Sequence, residues 1–573
     1  MTHPIVHRWQ RLTVIFLFLG FFAISALMYG SALPRAFITL NDAELVYQNP
    51  IVVQHFSFSA VQAAFSRFDP ELYIPFTFLS YQADWWLGGG SAVLFHATNV
   101  LLHTLNALLA AWLLILLSKK WWIGLLGGLL FLVHPLNAEA VLWIAARKDL
   151  LSAFFGLWTL IAYFLYLRGQ RKVWLYASIV LFLFALLAKV EVILLPLLLP
   201  LADWKEERPW HASLFTEKIP YVLLSILLGI VALVGKKEVL SSSSITAKIV
   251  LSLQSAVFYL KQFFLPRNFS LYYPFLHSPS FWSTDVFISI VVSFFCIFLI
   301  FLSLRWTKDI LFGGAFYLAA ILPSFTNLAK GNDYLLGADR YAYLATIGLV
   351  FLCLSLGSLC WQRYGQLFGS LLIWASRIIV TSIICFLGFS AHQQTRWWQD
   401  SIAVYQHAIA LSPQYYRPYY DLGIALDDKG MIDNAIIAYK KSLMLSSEYP
   451  LTYVNLGRDY YLQDQRDAAR KAFGQALAKD PHFAMASFDL GIIDNEVNAY
   501  DAAKKEYESA IADDPTFLDA RLNLSKMEAD HGDAAAAVEQ LKQALALDPH
   551  NPQTLSLAVL FLKQGIIQTD GGS

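Results

Sequence analysis

The chain has 573 residues, of which 57% are hydrophobic and only 15% are charged. A soluble protein of this size does not need so much apolar side-chain area, so the composition indicates a membrane protein. The formal net charge is zero, which excludes the basic surface typical of nucleic-acid binding. Charged residues are sparse up to about residue 390 and dense beyond Trp397. We therefore predict a membrane domain over residues 1–395 and a soluble domain over residues 396–568.

The N-terminal apolar segment, about residues 12–32, follows Arg8 and Arg11 and lacks a small-residue cleavage pattern, which indicates a retained signal anchor. Ten more apolar segments bring the predicted number of membrane spans to about eleven. These segments are approximately 93–117, 121–137, 149–167, 174–188, 190–202, 219–235, 284–304, 309–327, 341–360 and 368–390. Because 174–188 and 190–202 are short, one long tilted helix is an alternative for the two together.

Basic residues mark the cytoplasmic ends of membrane spans. Arg8 and Arg11 therefore predict a cytoplasmic N-terminus, and with eleven spans the later basic loops agree with it. This topology puts loop 33–92 and everything after Ser390 on the outer side. Segment 243–264 is less apolar than the spans, and we interpret it as an amphipathic helix on the outer membrane surface. If it spans the membrane instead, the C-terminal domain moves to the cytoplasm.

Polar and ionisable side chains accumulate in the segments predicted to face outside. Charged groups at membrane depth are costly and usually face a protein-lined cavity, so side chains of both signs predict a shared polar cavity. The candidates to line it are Asp42, Glu44, His96, His134, Glu139, Arg147, Asp149, Lys189, Glu191, Arg340 and Tyr343.

Several of these positions have simpler interpretations. Lys189 and Glu191 could form a buried ion pair that joins helices, and Asp84 or Asp69 could be a solvated loop charge. Four tryptophans are typical of membrane-interface anchors and not of sugar-stacking platforms. They are Trp85, Trp86, Trp397 and Trp398.

We predict no metal and no other cofactor. His134 and Glu139 are five residues apart and do not share a helix face, and no set of carboxylates has clear ligand spacing. The four cysteines lie in apolar segments without a disulfide framework or a zinc pattern. They are Cys296, Cys353, Cys360 and Cys385.

Asp42 and Glu44, the first acidic side chains of the chain, lie just beyond the first apolar segment. A carboxylate there can act as a general base on an acceptor hydroxyl. Cations such as Arg340 or Lys189 can stabilise a departing phosphate, and arginine offers a bidentate grip. A transporter also needs a polar cavity, but a cavity open to a single side favours chemistry at that face.

The C-terminal part has a 34-residue period, the length of a tetratricopeptide repeat. Gly423, Gly457 and Gly491 recur at this interval, each after a leucine, and Ser525 follows in register. We predict about four repeats over 416–550, with capping helices at 399–411 and 553–564. Such an α-solenoid offers a concave surface for an extended peptide; stabilising or dimerising the protein is the alternative role.

Seven sequence fragments, taken in order with the repeats behind them, carry a resemblance to a known family. They are residues 41–49, 95–103, 134–141, 147–150, 187–191, 322–327 and 339–344. They resemble the transmembrane and tetratricopeptide repeat-containing O-mannosyltransferases and their bacterial relatives, in the C-type glycosyltransferase superfamily, and the resemblance covers nearly the whole chain. The resemblance implies an all-α polytopic membrane domain that transfers a sugar, often mannose, from a polyprenyl-phosphate donor to a protein hydroxyl. It assigns the catalytic base to Asp42, whereas the first acid of the family's pair is replaced by Asn41. We predict that Glu44 assists Asp42.

The sequence therefore predicts an integral membrane protein O-glycosyltransferase whose repeats engage the acceptor or a partner protein. In a bacterium it would lie in the inner membrane with periplasmic repeats, and in a eukaryote in the endoplasmic reticulum membrane. Two alternatives remain, a non-catalytic membrane-anchored repeat scaffold and a ligase or polymerase of lipid-linked glycans.

Overall fold

The computed structural model describes residues 4–54, 57–66, 68, 72–209, 211–235, 244–276, 280–330, 333–365 and 370–567, so Asp69 lies outside the described residues. The chain divides into two compact units, Met1–Ser412 and Pro413–Ser573. As predicted, the fold is all-α, with a helical membrane unit followed by a helical repeat array. Within the described residues, strands occur only as the short antiparallel pair Ala329–Lys330 and Asp333–Tyr334.

Eight helical segments of the first unit are long and apolar enough to cross a membrane, and a bent pair makes nine among the described residues. The eight segments are Ile15–Ala32, Ala92–Ser118, Ile144–Gly169, Ala212–Gly235, Thr284–Ser303, Asp309–Asn327, Ala345–Tyr364 and Ile373–Gln394. The bent pair, Trp121–Val133 and Pro135–Leu142, turns by 57°. His134 has extended backbone angles there, because a residue that precedes proline disfavours the helical conformation.

By this criterion, nine of the eleven predicted spans occur among the described residues when the bent pair is counted as one, and two short segments account for the difference. Segment 174–188 forms the apolar helix Lys172–Ala188, which has only 17 residues. Segment 190–202 is broken into the 3-10 turns Val190–Val192 and Leu195–Leu197 and the helix Leu198–Lys205. Proline lacks the N–H that an inner helical turn needs, and Pro196 lies in the second of these turns. Pro200 lies in the first turn of the helix, where proline is tolerated. Since the helix also ends at the extended Lys189, the two segments do not form one tilted helix.

The other helices of the first unit are shorter or less apolar. In the described part of this unit they include Thr39–Asp42, Pro50–Val53, Phe58–Ser66, Pro75–Gly88, Ile245–Phe264 and Ser401–Leu411. Helix Ile245–Phe264 matches the predicted amphipathic segment and is not among the membrane-crossing candidates. Its Ser255 hydroxyl donates to Leu336 O at 2.7 Å and its Tyr259 hydroxyl to Ala338 O at 3.0 Å. These bonds hold the segment that leads into Asp339 and Arg340.

Helix Ser401–Leu411 belongs to the first unit, although the soluble domain was predicted to begin at residue 396. The Ser401 hydroxyl accepts from Thr39 N at 2.9 Å, and His407 Nε2 lies 2.9 Å from Phe269 O. The Trp397 and His407 rings stack with their centroids 3.8 Å apart. These contacts tie the predicted N-terminal capping helix to the membrane unit, so the compact units divide after Ser412.

The described part of the second unit contains four helix pairs in the predicted 34-residue register. They are Arg417–Asp427 with Ile432–Leu445, Pro450–Leu462 with Arg466–Lys479, Ala484–Glu496 with Tyr500–Asp513, and Leu518–Asp530 with Ala534–Leu547. Helix Pro552–Lys563 follows them, where a capping helix is predicted. The recurring glycines allow a close approach of the two helices in each repeat. A Cβ at Gly457 would lie 2.5 Å from the Phe473 ring, and one at Gly491 would lie 2.7 Å from the Tyr507 ring. The recurring glycines of the sequence thus mark one packing contact that is repeated along the array.

Candidate active site

Asp42 is buried in the first unit, in a turn held by an unusual backbone conformation. Asn41 adopts a left-handed conformation with φ of 53°, which asparagine tolerates better than most residues. This turn directs the Asp42 carboxylate inward, where Oδ2 accepts from Ile38 N at 2.9 Å and Oδ1 from Ala145 N at 2.8 Å. Burial raises the pKa of Asp42 to about 7, although the two backbone bonds and Lys148 act in the opposite direction.

Glu44 does not share the surroundings of Asp42. It follows two residues later in the turn Ala43–Tyr47, and it is exposed. The two acids that the sequence places together therefore point into different environments, and only Asp42 reaches the segment 143–149.

Arg147 lies in a separate buried network. Its guanidinium pairs with Asp84 at 2.5 Å and donates to Asn99 Oδ1 and to Phe95 O, each at 2.8 Å. Asp84 is thus a buried counter-ion and not a solvated loop charge. Since the Arg147 side chain is fully enclosed and its donors are occupied, its contacts hold helices together.

Lys189 lies between two carboxylates. Its Nζ is 2.6 Å from Asp149 Oδ1 and 2.7 Å from Glu191 Oε2, while Asn327 donates to Glu191 Oε1 at 3.2 Å. The Lys189 ammonium also lies 5.3 Å from the centre of the Tyr341 ring. The alternative interpretation of a buried ion pair therefore describes this geometry, and the pair joins segments that are distant in the chain.

Arg340 and Glu139 form a second ion pair beside it. The Arg340 guanidinium lies 4.7 Å from the centre of the Trp143 ring and 4.8 Å from that of Tyr341. The Arg340 side chain is 16% exposed, whereas that of Glu139 is 2% exposed. Since Tyr341 contacts both cations, the two ion pairs form one cluster, which reaches solvent at Arg340 and Glu191.

The polar groups of three other predicted site residues lie outside this cluster of ion pairs. His134 stacks on Phe263, and its Nδ1 accepts from Leu136 N at 3.2 Å, so it caps the turn at the bend. The Tyr343 hydroxyl lies 2.9 Å from His103 Nδ1 and accepts from Asn106 at 3.1 Å within the core. His96 is buried near the start of Ala92–Ser118.

Two of the predicted membrane-interface tryptophans have other surroundings. Trp398 is buried and stacks on Trp143 with ring centroids 6.2 Å apart, and Trp397 is half-buried against His407. Trp86, in contrast, is 65% exposed, as an anchor requires. The segment 395–411 thus covers the side of the cluster that Trp143 forms.

Lys148 is a buried cation that the sequence-based set does not contain. It lies in the first turn of helix Arg147–Gly169, and its Nζ donates to Ala145 O at 2.7 Å. The signal was present, because Lys148 stands between two predicted residues in the run Arg147-Lys148-Asp149. Within the described part of the chain, no group of three or more His, Cys, Asp or Glu side chains could hold a metal ion.

Comparison with known families characterises the second unit. One tetratricopeptide repeat family model matches residues 454–493 and 496–552, and another matches residues 416–449. The second unit is a tetratricopeptide repeat array. Among solved structures, the chain is similar to MamA, with 26% identity over 26% of this chain and 87% of that chain at a TM-score of 0.25.

Sequence comparison also finds named relatives of the chain. Protein O-mannosyl-transferase Tmtc2 of Drosophila melanogaster is 33% identical over 106 residues, which are 18% of this chain and 11% of that protein. Human TMTC2 is 35% identical over 92 residues, 16% of this chain and 11% of that protein, and human TMTC4 is 31% identical over 140 residues, 21% and 19% respectively. The matches span less than a fifth of these relatives. They confirm the predicted resemblance to the tetratricopeptide repeat-containing O-mannosyltransferases.

Proposed function

We propose that the chain is a membrane protein O-glycosyltransferase. It moves a mannose-like sugar from a polyprenyl-phosphate donor to a protein hydroxyl at the outer membrane face, and the repeat array engages the acceptor or a partner. The observation that carries this proposal is the Asp42 carboxylate, which is bonded to Ala145 at the edge of the ionic cluster. The relatives named protein O-mannosyl-transferases support the reaction class.

Asp42 has the properties of a general base at neutral pH. A base is most effective when its pKa lies near the working pH, and burial raises the pKa of Asp42 to about 7. The carboxylate takes the proton of the acceptor hydroxyl while that oxygen bonds to C1 of the sugar. The bond from C1 to the phosphate oxygen breaks, and the polyprenyl phosphate leaves with the electron pair. Because Asp42 is fully buried, the acceptor must displace some of the side chains that cover the carboxylate. Trp143 is one of them.

The replacement of the family's first acid by Asn41 is compatible with this mechanism. Asn41 occupies the left-handed position of the turn, and the acid that reaches Ala145 is Asp42. The base therefore remains in place although one acid of the pair is absent. Glu44, which is exposed, keeps at most an assisting role toward the incoming acceptor.

A transfer assay in membranes tests the proposal. Wild type, Asp42→Asn and the matched control Asp285→Asn, an exposed carboxyl, are given radiolabelled polyprenyl-phosphate mannose, and the products are separated into protein and lipid fractions. We expect protein label in wild type and the control, and a loss of about 100-fold or more in Asp42→Asn. Label in lipid-linked glycan would identify a ligase or polymerase instead. Absence of transfer from every polyprenyl-phosphate sugar supplied would leave the membrane-anchored scaffold as the function.

A further inference from the structure

We propose that Lys148 binds the phosphate of the lipid-linked donor, an inference that rests on the proposed function. The sequence assigned that role to Arg340 and Lys189. The structure distinguishes Lys148 from both by its partners.

Four cations lie around segment 143–149, and three of them are already neutralised. Arg147 pairs with Asp84, Lys189 with Asp149 and Glu191, and Arg340 with Glu139. Lys148 is 6% exposed, and among the described residues its ammonium has no carboxylate partner within ion-pair distance.

The surroundings of Lys148 favour a bound anion. An ammonium has three donor hydrogens, and the Ala145 carbonyl accepts one of them. The first turn of a 23-residue helix adds its own positive potential, which disfavours a lysine and attracts a negative group. A buried charge with no carboxylate in direct contact is costly. A phosphate placed here would accept from the remaining donor hydrogens of the ammonium.

Lys148 is also close to the proposed base. The Ala145 N–H donates to Asp42 Oδ1 at 2.8 Å, while the Ala145 carbonyl accepts from Lys148 Nζ at 2.7 Å. One residue thus separates the group that takes the acceptor proton from the cation that would receive the leaving phosphate. As the bond between C1 and the phosphate oxygen breaks, negative charge develops on that oxygen, and Lys148 stabilises it.

The test compares two lipids that differ only in the phosphate. Purified full-length chain in detergent is titrated with polyprenyl phosphate and with the uncharged polyprenol of the same length. The variants are Lys148→Met, Lys148→Gln and the control Lys172→Met, an exposed lysine that also begins a helix. We expect wild type and the control to bind the phosphate about tenfold or more tightly than the alcohol, and both Lys148 variants to lose that preference. Equal preference in wild type and Lys148→Gln would overturn the proposal, as would a wild type that does not distinguish the lipids.

A second measurement separates binding from a structural role. Lys148→Met removes a buried charge that has no carboxylate partner among the described residues, so its unfolding temperature without lipid should equal or exceed that of wild type. A lower temperature, with the phosphate preference retained in Lys148→Gln, would make Lys148 a structural residue. The lipid titration and the transfer assay distinguish failure of the phosphate-binding proposal from failure of the proposed transferase function. Phosphate preference without sugar transfer leaves Lys148 in place and removes the transferase, whereas transfer with an unchanged donor KM in Lys148→Gln removes only Lys148.

Discussion

Asn41 and Asp42 show how adjacent residues acquire different tasks. The left-handed Asn41 turns the chain, and the turn buries the Asp42 carboxylate against the N–H of Ala145. Burial then moves the pKa of Asp42 into the neutral range, where a carboxylate both takes and releases protons.

The transfer rate should therefore depend on pH through Asp42. A base acts in its deprotonated form, and burial raises the pKa of Asp42 to about 7. We expect kcat/KM to rise about tenfold per pH unit below 7 and to level off above it. The residual activity of Asp42→Asn should not rise with pH below 7, while the activity of Asp285→Asn should rise as in wild type. A wild-type rate that is flat between pH 5.5 and pH 7 would exclude Asp42 as the base.

Arg147 and Asp84 form a pair whose partners depend on each other. Removing the arginine in Arg147→Met leaves a buried carboxylate without a counter-ion, which we expect to destabilise the unit by about 3–5 kcal/mol. Adding Asp84→Asn should recover part of that loss, since the uncompensated charge disappears. Thermal unfolding of the two single variants and the double variant in detergent measures the coupling. The coupling would be contradicted if the stability loss of the double variant equalled the sum of the losses of the two single variants.

At the scale of elements, small residues determine how closely the membrane helices approach. A Cβ at Gly128 would lie 2.6 Å from the Ala111 Cβ and 2.7 Å from Ala107 O on the neighbouring helix. Contacts of this kind bring helix backbones together in a membrane, where the hydrophobic effect between helices is weak.

Gly128→Leu should consequently separate the two helices. We expect a loss of about 1–3 kcal/mol, the usual cost of overpacking, measured as a lower unfolding temperature in detergent. Gly20→Leu is the matched control, because a Cβ there meets no atom within 4 Å. Equal effects of the two substitutions would show that this helix contact is not tight.

In the repeat array, we expect the stability of the folded state to depend on pH through Asp459. Its side chain is buried, and burial, followed by the nearby Asp427, raises the pKa of Asp459 to about 7. The folded array therefore binds a proton that the unfolded chain releases near pH 4. Since the folded state holds more protons in this interval, its stability falls as the pH rises from about 4 to 7.

Hydrogen exchange in helix Pro450–Leu462 measures this effect in the full-length chain. Amide exchange, corrected for its intrinsic dependence on pH, should become faster between pH 5 and pH 8 in wild type. Asp459→Asn should remove the change, whereas Asp467→Asn, at an exposed position in the next helix, should preserve it. Amide protection that increases with pH would contradict the prediction, because the stability would then rise with pH.

For the whole molecule, the membrane side of each part is the main prediction still to be tested. The topology derived from basic loops places Glu44 and the repeats on the outer side and Lys119 in the cytoplasm. In a background without native cysteines, we expect Glu44→Cys and Met444→Cys to react with an impermeant maleimide added outside, and Lys119→Cys not to react. All three positions are exposed. Labelling of Met444→Cys only after permeabilisation would place the repeats in the cytoplasm and change the number of spans.

The sequence by itself determined the helical repeats, most of the membrane helices and the class of protein. These features follow from local periodicity and composition: a 34-residue period needs only neighbouring helices, and an apolar run needs only sufficient length. It also identified most of the ionisable residues that meet around segment 143–149, although it omitted Lys148.

Only the tertiary structure decided which of these side chains have partners. Arg147 faces Asp84 and Lys189 faces Asp149, whereas no carboxylate of the described residues lies within ion-pair distance of Lys148. These pairings depend on contacts between helices that are far apart in the chain. The burial that raises the pKa of Asp42 and separates it from Glu44 has the same origin. Local sequence patterns specify helices and turns, whereas desolvation and ion pairing depend on what the fold places against each group, and those contacts assign the roles at this site.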